Sequence, residues 1–205
     1  MWHIEHDHAH VTCSLGTLRV ALAAPDAGVV LHGSSGQRLA FFGLAELAST
    51  PLVEQYARGN DLVASYAASD TYPFGCQVYW SVGSCGEGLS LELLVSVQTD
   101  LLDTHPVVHV AGPQPLGSSD TLVVDGDELL AATTGDAMLV LGVHPSDGGE
   151  CDRAAENRWQ LFAHFLEKGV IRRARLFAAL VPAHDPSLAR EAYRQFLRKP
   201  LPLTV

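Results

Sequence analysis

The sequence predicts an all-β chain, an antiparallel β-sandwich carrying one C-terminal α-helix. Three observations lead there. About ten short runs of alternating apolar and polar residues recur at near-regular spacing. The segments between them are rich in Gly, Asp and Ser, the residues of turns. A convincing helical period occurs once, near the end.

The strands are read in order. Leu18, Val20 and Leu22 alternate with Thr17, Arg19 and Ala21. Gly28–His32 and Arg38–Leu44 are apolar runs separated by the turn-forming Gly33-Ser34-Ser35-Gly36. A second short helix is considered around Leu44–Ala57, interrupted by Pro51. Leu62–Tyr66 is a further strand, and Val78, Trp80 and Val82 alternate with Gln77, Tyr79 and Ser81. Leu89–Thr99 is the clearest strand. Leu89, Leu91, Leu93, Val95 and Val97 point one way, while Ser90, Glu92, Leu94, Ser96 and Gln98 point the other. Ser84-Cys85-Gly86-Glu87-Gly88 should join it to the preceding strand as a longer hairpin loop. Thr121–Asp125, Leu129–Thr134 and Met138–His144 follow. Gly112–Asp120 is linker-like and is expected to join two strands of one sandwich.

Residues 158–181 (RWQLFAHFLEKGVIRRARLFAALV) read as a β-hairpin turning on Lys168-Gly169. A two-residue loop there sets His164 opposite Arg173 and Phe162 opposite Arg175. Trp159, Leu161, Ala163, Ala174, Leu176 and Ala178 then share the core face. The helix is expected over about 186–199, with Asp185 as N-cap and Pro186 in the first turn. Leu188, Ala192 and Phe196 recur at intervals of four, and Pro200 and Pro202 end it.

At 205 residues the chain is expected to form a single domain, 1–205, with a sizeable core. A net charge of −10 argues against nucleic-acid binding, which needs clustered cations. The charge is uneven: residues 1–151 hold 3 basic and 18 acidic side chains, residues 152–205 hold 10 and 5. A basic end docked on an acidic body is one reading, and simple solvation of exposed faces is the other. No apolar run is long enough to span a bilayer, so no membrane partner is expected. MWHIEHDHAH lacks the basic-then-apolar pattern of a signal peptide, so cytoplasmic residence is expected. Cys13, Cys76, Cys85 and Cys151 are scattered without C-x-x-C, so buried or free thiols are expected, with a Cys76–Cys85 bridge as the alternative.

Three sets of segments carry a resemblance to a known group. They are Leu166-Glu167-Lys168-Gly169-Val170-Ile171-Arg172, the strand Leu89–Thr99 running into Leu101-Leu102-Asp103-Thr104-His105-Pro106, and Asp61–Trp80 (DLVASYAASDTYPFGCQVYW). In style and strand order over roughly residues 10–185 the chain resembles the galactose mutarotase-like β-supersandwich group. The resemblance implies a supersandwich-type fold and carbohydrate handling. The group includes sugar epimerases and non-catalytic sandwich domains of polysaccharide-active enzymes. No segment matches the group's catalytic His and Glu residue by residue, so no catalytic residue is carried over.

Three constellations are candidates for chemistry. The first is the polar sheet face, where His164, Arg173, Arg175, Gln160, Phe162 and Gln98, with Glu92, would meet a mono- or oligosaccharide. Arg presents a fork for a carboxylate, and Phe162 or Phe177 a stacking surface. The competing reading is a solvated sheet face with Arg stems over Phe rings. The second is Asp100, Asp103 and His105 at the end of the clearest strand; His105 with Asp103 or Glu92 is a pairing suited to proton transfer at a sugar carbon in an aldose epimerase-like isomerase. Asp103 and Thr104 also read as an ordinary turn bonding its own backbone. The third is His6, His8 and His10, which share a face if extended and have a workable metal spacing, against a solvated His-rich end. No cofactor or metal is expected. The leading expectation is a carbohydrate-binding sandwich domain. The alternatives are the isomerase and a structural or assembly domain whose sheet face pairs with another chain as a homo-oligomer.

Overall fold

The computed structural model describes residues 1–34, 36–114, 119–147, 150–152 and 158–200. The chain opens with a five-stranded antiparallel meander: β1 (His3–Glu5), β2 (His8–Cys13), β3 (Gly16–Ala21), β4 (Val29–Gly33) and β5 (Arg38–Phe41). A second meander follows: β6 (Leu52–Arg58), β7 (Asp61–Tyr66), β8 (Gly75–Cys85) and β9 (Gly88–Gln98). β10 (Val107–Ala111) returns to the first layer. β11 (Ser119–Val124), β12 (Asp127–Thr134) and β13 (Ala137–Val143) form a third meander. β14 (Glu150–Asp152), β15 (Arg158–Phe162), β16 (Ile171–Pro182) and the helix α1 (Ser187–Arg198) complete the order.

These strands make an antiparallel β-sandwich. One layer is an eight-stranded sheet ordered β11-β12-β13-β16-β9-β8-β7-β6. The other combines β1–β5 with the three-stranded sheet β10-β15-β14, joined by bridges at Ala40–Gln114 and Leu44–Val110. The period of two in the sequence decides what lies between the layers. Leu62 and Ala64 of β7, Val78 and Trp80 of β8, Leu91, Leu93 and Val95 of β9, and Leu176 and Ala178 of β16 face inward. They meet Val11, Leu18, Val20, Val29, Leu31, Phe41, Val110, Trp159 and Leu161 from the second layer in one continuous core. Two buried polar tips are satisfied by backbone across it: Trp2 Nε1 donates to the Trp80 carbonyl at 3.0 Å, and the Tyr66 hydroxyl to that of Leu22 at 2.8 Å.

β16 closes the large sheet by inserting between the second and third meanders. It pairs with β9 from Ile171–Gln98 to Leu180–Leu89 and with β13 from Val143–Leu176 to Ala137–Pro182. Its residues 174–182 are all buried, because Ala174, Leu176, Ala178 and Leu180 face the sandwich core while Phe177, Ala179 and Val181 face α1. Ala189, Tyr193 and Phe196 of the helix lie over Val124, Leu129, Ala131, Met138 and Val140 in a second cluster. The helix starts one residue later than expected, at Ser187 with Pro186 in the N-cap position, and Asp185 Oδ1 accepts from the Ser187 backbone N–H at 3.2 Å.

Three expectations are corrected, and one alternative is removed. Residues 158–181 are not a hairpin. β15 pairs with β10 and β14 in one layer, and β16 with β9 and β13 in the other. Phe162 (φ 72°), Ala163 (φ 39°) and Gly169 (φ 77°) turn the chain between layers, and the Gly169 N–H donates to the Thr99 carbonyl at 3.0 Å. A glycine between alternating runs is a local signal, and here each run has a longer partner elsewhere. Around Leu44–Ala57 there is a short 3₁₀ segment, Ala45–Ser49, and then strand β6, since Pro51 stops the helical pattern before it propagates. The β8–β9 loop is tighter than expected, only Gly86-Glu87, with Gly86 at φ 59°. Cys76 and Cys85 are free thiols near opposite ends of one extended strand, too far apart to bridge. The linker-like stretch lies partly outside the described residues, at 115–118. No described helix is long and apolar enough to cross a membrane.

Candidate binding groove

The outer face of the large sheet is divided by the helix. α1 covers it over β11–β13 and the end of β16 and reaches the β8–β9 turn at Cys85; over the rest of β6–β9 and the start of β16 it is open. The register places the outward-facing positions in rows. Arg58, Asp61, Ser81 and Glu92 form one row; Tyr56, Val63, Tyr79, Leu94 and Arg175 form the next. Ser65, Gln77, Ser96 and Arg173 form a third, and Gly75, Gln98 and Ile171 a fourth. This floor underlies a groove of about 1470 Å³. Its walls are the β7–β8 loop (Ala67, Asp70, Pro73), Asp100 and Leu101 beside Gly169, and the end of the helix at Phe196, Lys199 and Pro200.

Hydrogen bonds fix the floor. Gln77 Nε2 donates to Ser65 Oγ at 3.0 Å, and the Tyr79 hydroxyl donates to Gln77 Oε1. The Gln77 amide is thereby oriented by two neighbours on the same face, which lowers the entropy it would lose on meeting a ligand. Ser81 Oγ donates to Asp61 Oδ1 at 2.5 Å. Partial burial, with Tyr56 and Glu54 nearby, raises the Tyr79 phenol above its ordinary value against the opposing pull of Arg173, so it stays a neutral hydrogen-bonding ring at pH 7.

The cations at the helix end are engaged. Arg175 donates through Nε and Nη2 to the Asp147 carboxylate at 2.9 Å each, and through Nη1 to the Lys199 carbonyl at 2.9 Å. That last bond satisfies an orphan carbonyl at the negative end of α1. Lys199 Nζ bonds Glu92 across the wall. Burial pushes the Asp147 carboxyl up, but bonds from Arg175 and Ser146 and the guanidinium charge outweigh it, so its net shift is downward.

The expected ligand set is only partly assembled. Gln98, Arg173, Arg175 and Glu92 line the groove. Gln160 and Phe162 are on β15 in the other layer, Gln160 exposed beside His109 and Phe162 buried in the core. His164 is exposed in the layer-crossing loop rather than opposite Arg173. These three were placed by a hairpin that does not form. Phe177, the alternative stacking ring, is buried under Tyr193 and Phe196. The isomerase pairing is not brought together in the groove. Glu92 lines it, but Asp103 sits in a turn at φ 53° and the exposed His105 packs its ring on Phe165, 5.8 Å between centroids. No histidine is among the described groove residues. His6 occupies the β1–β2 turn at φ 58°, off the strand that carries His8 and His10; His10 stacks on His3 and His8 bonds Asp7. Among the described residues, no group of three or more His, Cys, Asp or Glu is placed to hold a metal.

The floor residues that sequence reasoning passed over are Tyr56, Asp61, Ser65, Gln77, Tyr79 and Ser81. For β8 the signal was present: Gln77, Tyr79 and Ser81 are the polar partners of Val78, Trp80 and Val82. No family model matches the chain, and no curated protein matches it.

Proposed function

We infer that the chain is a carbohydrate-binding β-sandwich domain whose ligand lies in the groove over β6–β9 and β16. The observation that carries this reading is the floor itself. Tyr56 and Tyr79 lie beside amide and hydroxyl groups of Gln77, Gln98, Ser65 and Ser96 on one open sheet face. A pyranose has an apolar ring face and a rim of hydroxyls; phenol rings suit the first, and planar amides with hydroxyls suit the second. Charge in the groove is mixed. Asp61, Asp70, Glu92 and Asp100 accompany Arg58, Arg173, Arg175 and Lys199, and Arg175 and Lys199 are already paired. A neutral sugar fits this balance better than a strongly anionic one. The resemblance to the galactose mutarotase-like group points to the same class of ligand. The isomerase alternative draws no support from the groove, whose described residues include no histidine to pair with Glu92. The assembly reading relied on Arg173 and Arg175 as an exposed pairing face, and Arg175 is buried.

Titration of the protein with neutral and acidic mono- and oligosaccharides tests the proposal. Saturable binding at millimolar or lower concentration, weakened by Gln77→Ala, is expected. Absence of binding by every sugar tried at that concentration overturns it.

A further inference from the structure

The groove changes character along the strands. At one end the floor is Arg58, Asp61, Ser81 and Glu92; at the other Gln98, Ile171 and Leu101 lie between the wall carboxylates Asp70 and Asp100. Ile171 and Leu101 are 44% and 48% exposed, large apolar side chains facing a cavity rather than the core. Leu102, Phe165 and Val170, on the same two loops, are also exposed. The two loops are tied together. The Gly169 N–H donates to the Thr99 carbonyl at 3.0 Å, the Leu166 N–H to that of Thr104 at 2.7 Å, and Arg172 holds the Phe165 carbonyl at 3.0 Å. The apolar end is therefore held in place, and its exposure is not the fluctuation of a loose loop. From Glu92 to Gln98 along β9 is about 20 Å at the usual strand rise. The 1470 Å³ cavity also exceeds the roughly 300–1,000 Å³ usual for a small ligand.

Resting on the carbohydrate reading, we propose that the ligand is amphipathic: a glycoside whose sugar lies over Gln77 and Tyr79 and whose apolar aglycone or acyl chain lies on Leu101 and Ile171. An occupant polar throughout leaves Leu101 and Ile171 wet, and one apolar throughout strips water from the hydroxyl and amide floor. A ligand divided in the same sense covers both.

Matched methyl, butyl and octyl glycosides of one sugar, kept below their micellar concentrations, test this by calorimetric titration. The octyl glycoside is expected to bind at least about tenfold tighter than the methyl glycoside, since full burial gives up to about fourfold per methylene. The variant Leu101→Ser/Ile171→Ser should flatten that gain, read as the ratio of octyl to methyl glycoside affinity in the same protein; Leu101→Ser alone, at an exposed loop position, should flatten it in part. Equal affinity across the alkyl series, or an alkyl gain unaltered in both variants, overturns the proposal while leaving the carbohydrate reading standing. Octyl sulfate binding as tightly as octyl glycoside overturns both.

Discussion

Arg175 and Asp147 form the most consequential pair of side chains in the molecule, with 11% and 3% of their side-chain surfaces exposed. The guanidinium also donates to Ser146 Oγ at 3.2 Å and caps the helix at Lys199. Arg175→Met leaves a carboxylate buried without its partner, and unfolding in denaturant should show a loss of about 3–5 kcal/mol. The double change Arg175→Met/Asp147→Leu should recover much of that loss, because no charge is then left buried alone. The sign with pH follows from the lowered Asp147 carboxyl. Its ordinary value in the unfolded chain is 3.8. The pair's contribution is present above that pH and is lost as pH falls through the lower folded value. Acid unfolding of Arg175→Met should therefore be less steep below about pH 4 than that of the parent. Thiol chemistry is also decided residue by residue. Burial raises the Cys76 and Cys85 thiols, so peptide mapping after native alkylation should find Cys13 modified before either.

At the scale of elements, the close approach of β9 to β16 sets a strict demand at Gly88. A Cβ there would lie 1.8 Å from the Leu180 carbonyl oxygen, a backbone atom that cannot swing away. Gly88→Ala should cost at least about 2 kcal/mol, a fall of roughly 4–8 °C in Tm for a chain of this size. Phe196→Ala opens the cluster under α1, where Phe177 and Tyr193 stack on that ring, and should cost about 3–5 kcal/mol by the same assay. The elements were largely legible in the sequence. Alternation located β3, β7, β9, β12 and β13 to within a residue or two and the centre of β8, and Asp185-Pro186 marked the helix start. What periodicity leaves open is which run pairs with which. The Lys168-Gly169 turn flanked by apolar runs describes a hairpin and a layer crossing equally well. Only the partners that β9 and β13 offer to β16 decide between them. The site inherited that ambiguity: Gln98, Arg173 and Arg175 depend on the β9–β16 pairing and are in the groove, while Gln160, Phe162 and His164 depended on the hairpin and are not.

For the whole molecule, the uneven charge of the sequence has a structural counterpart. Three cations of the basic C-terminal part, Arg175, Arg194 and Lys199, bond Asp147, Asp125 and Glu92 of the acidic body. Two of these contacts are solvent-exposed and contribute little once salt screens them; packing of Tyr193 and Phe196 on the sheet holds the helix. Helix placement then defines the groove, because α1 covers one half of the outer sheet face and leaves the polar half open. We propose that this open half binds sugar. The measurement that tests it most directly is isothermal titration of neutral oligosaccharides into the parent protein and into Gln77→Ala and Tyr56→Ala, with folding verified by Tm. Saturable binding by the parent, weakened about tenfold or more in each variant by loss of a bidentate amide or a stacking ring, is the predicted result. No saturable binding at millimolar sugar, or binding that both variants leave unchanged, contradicts it.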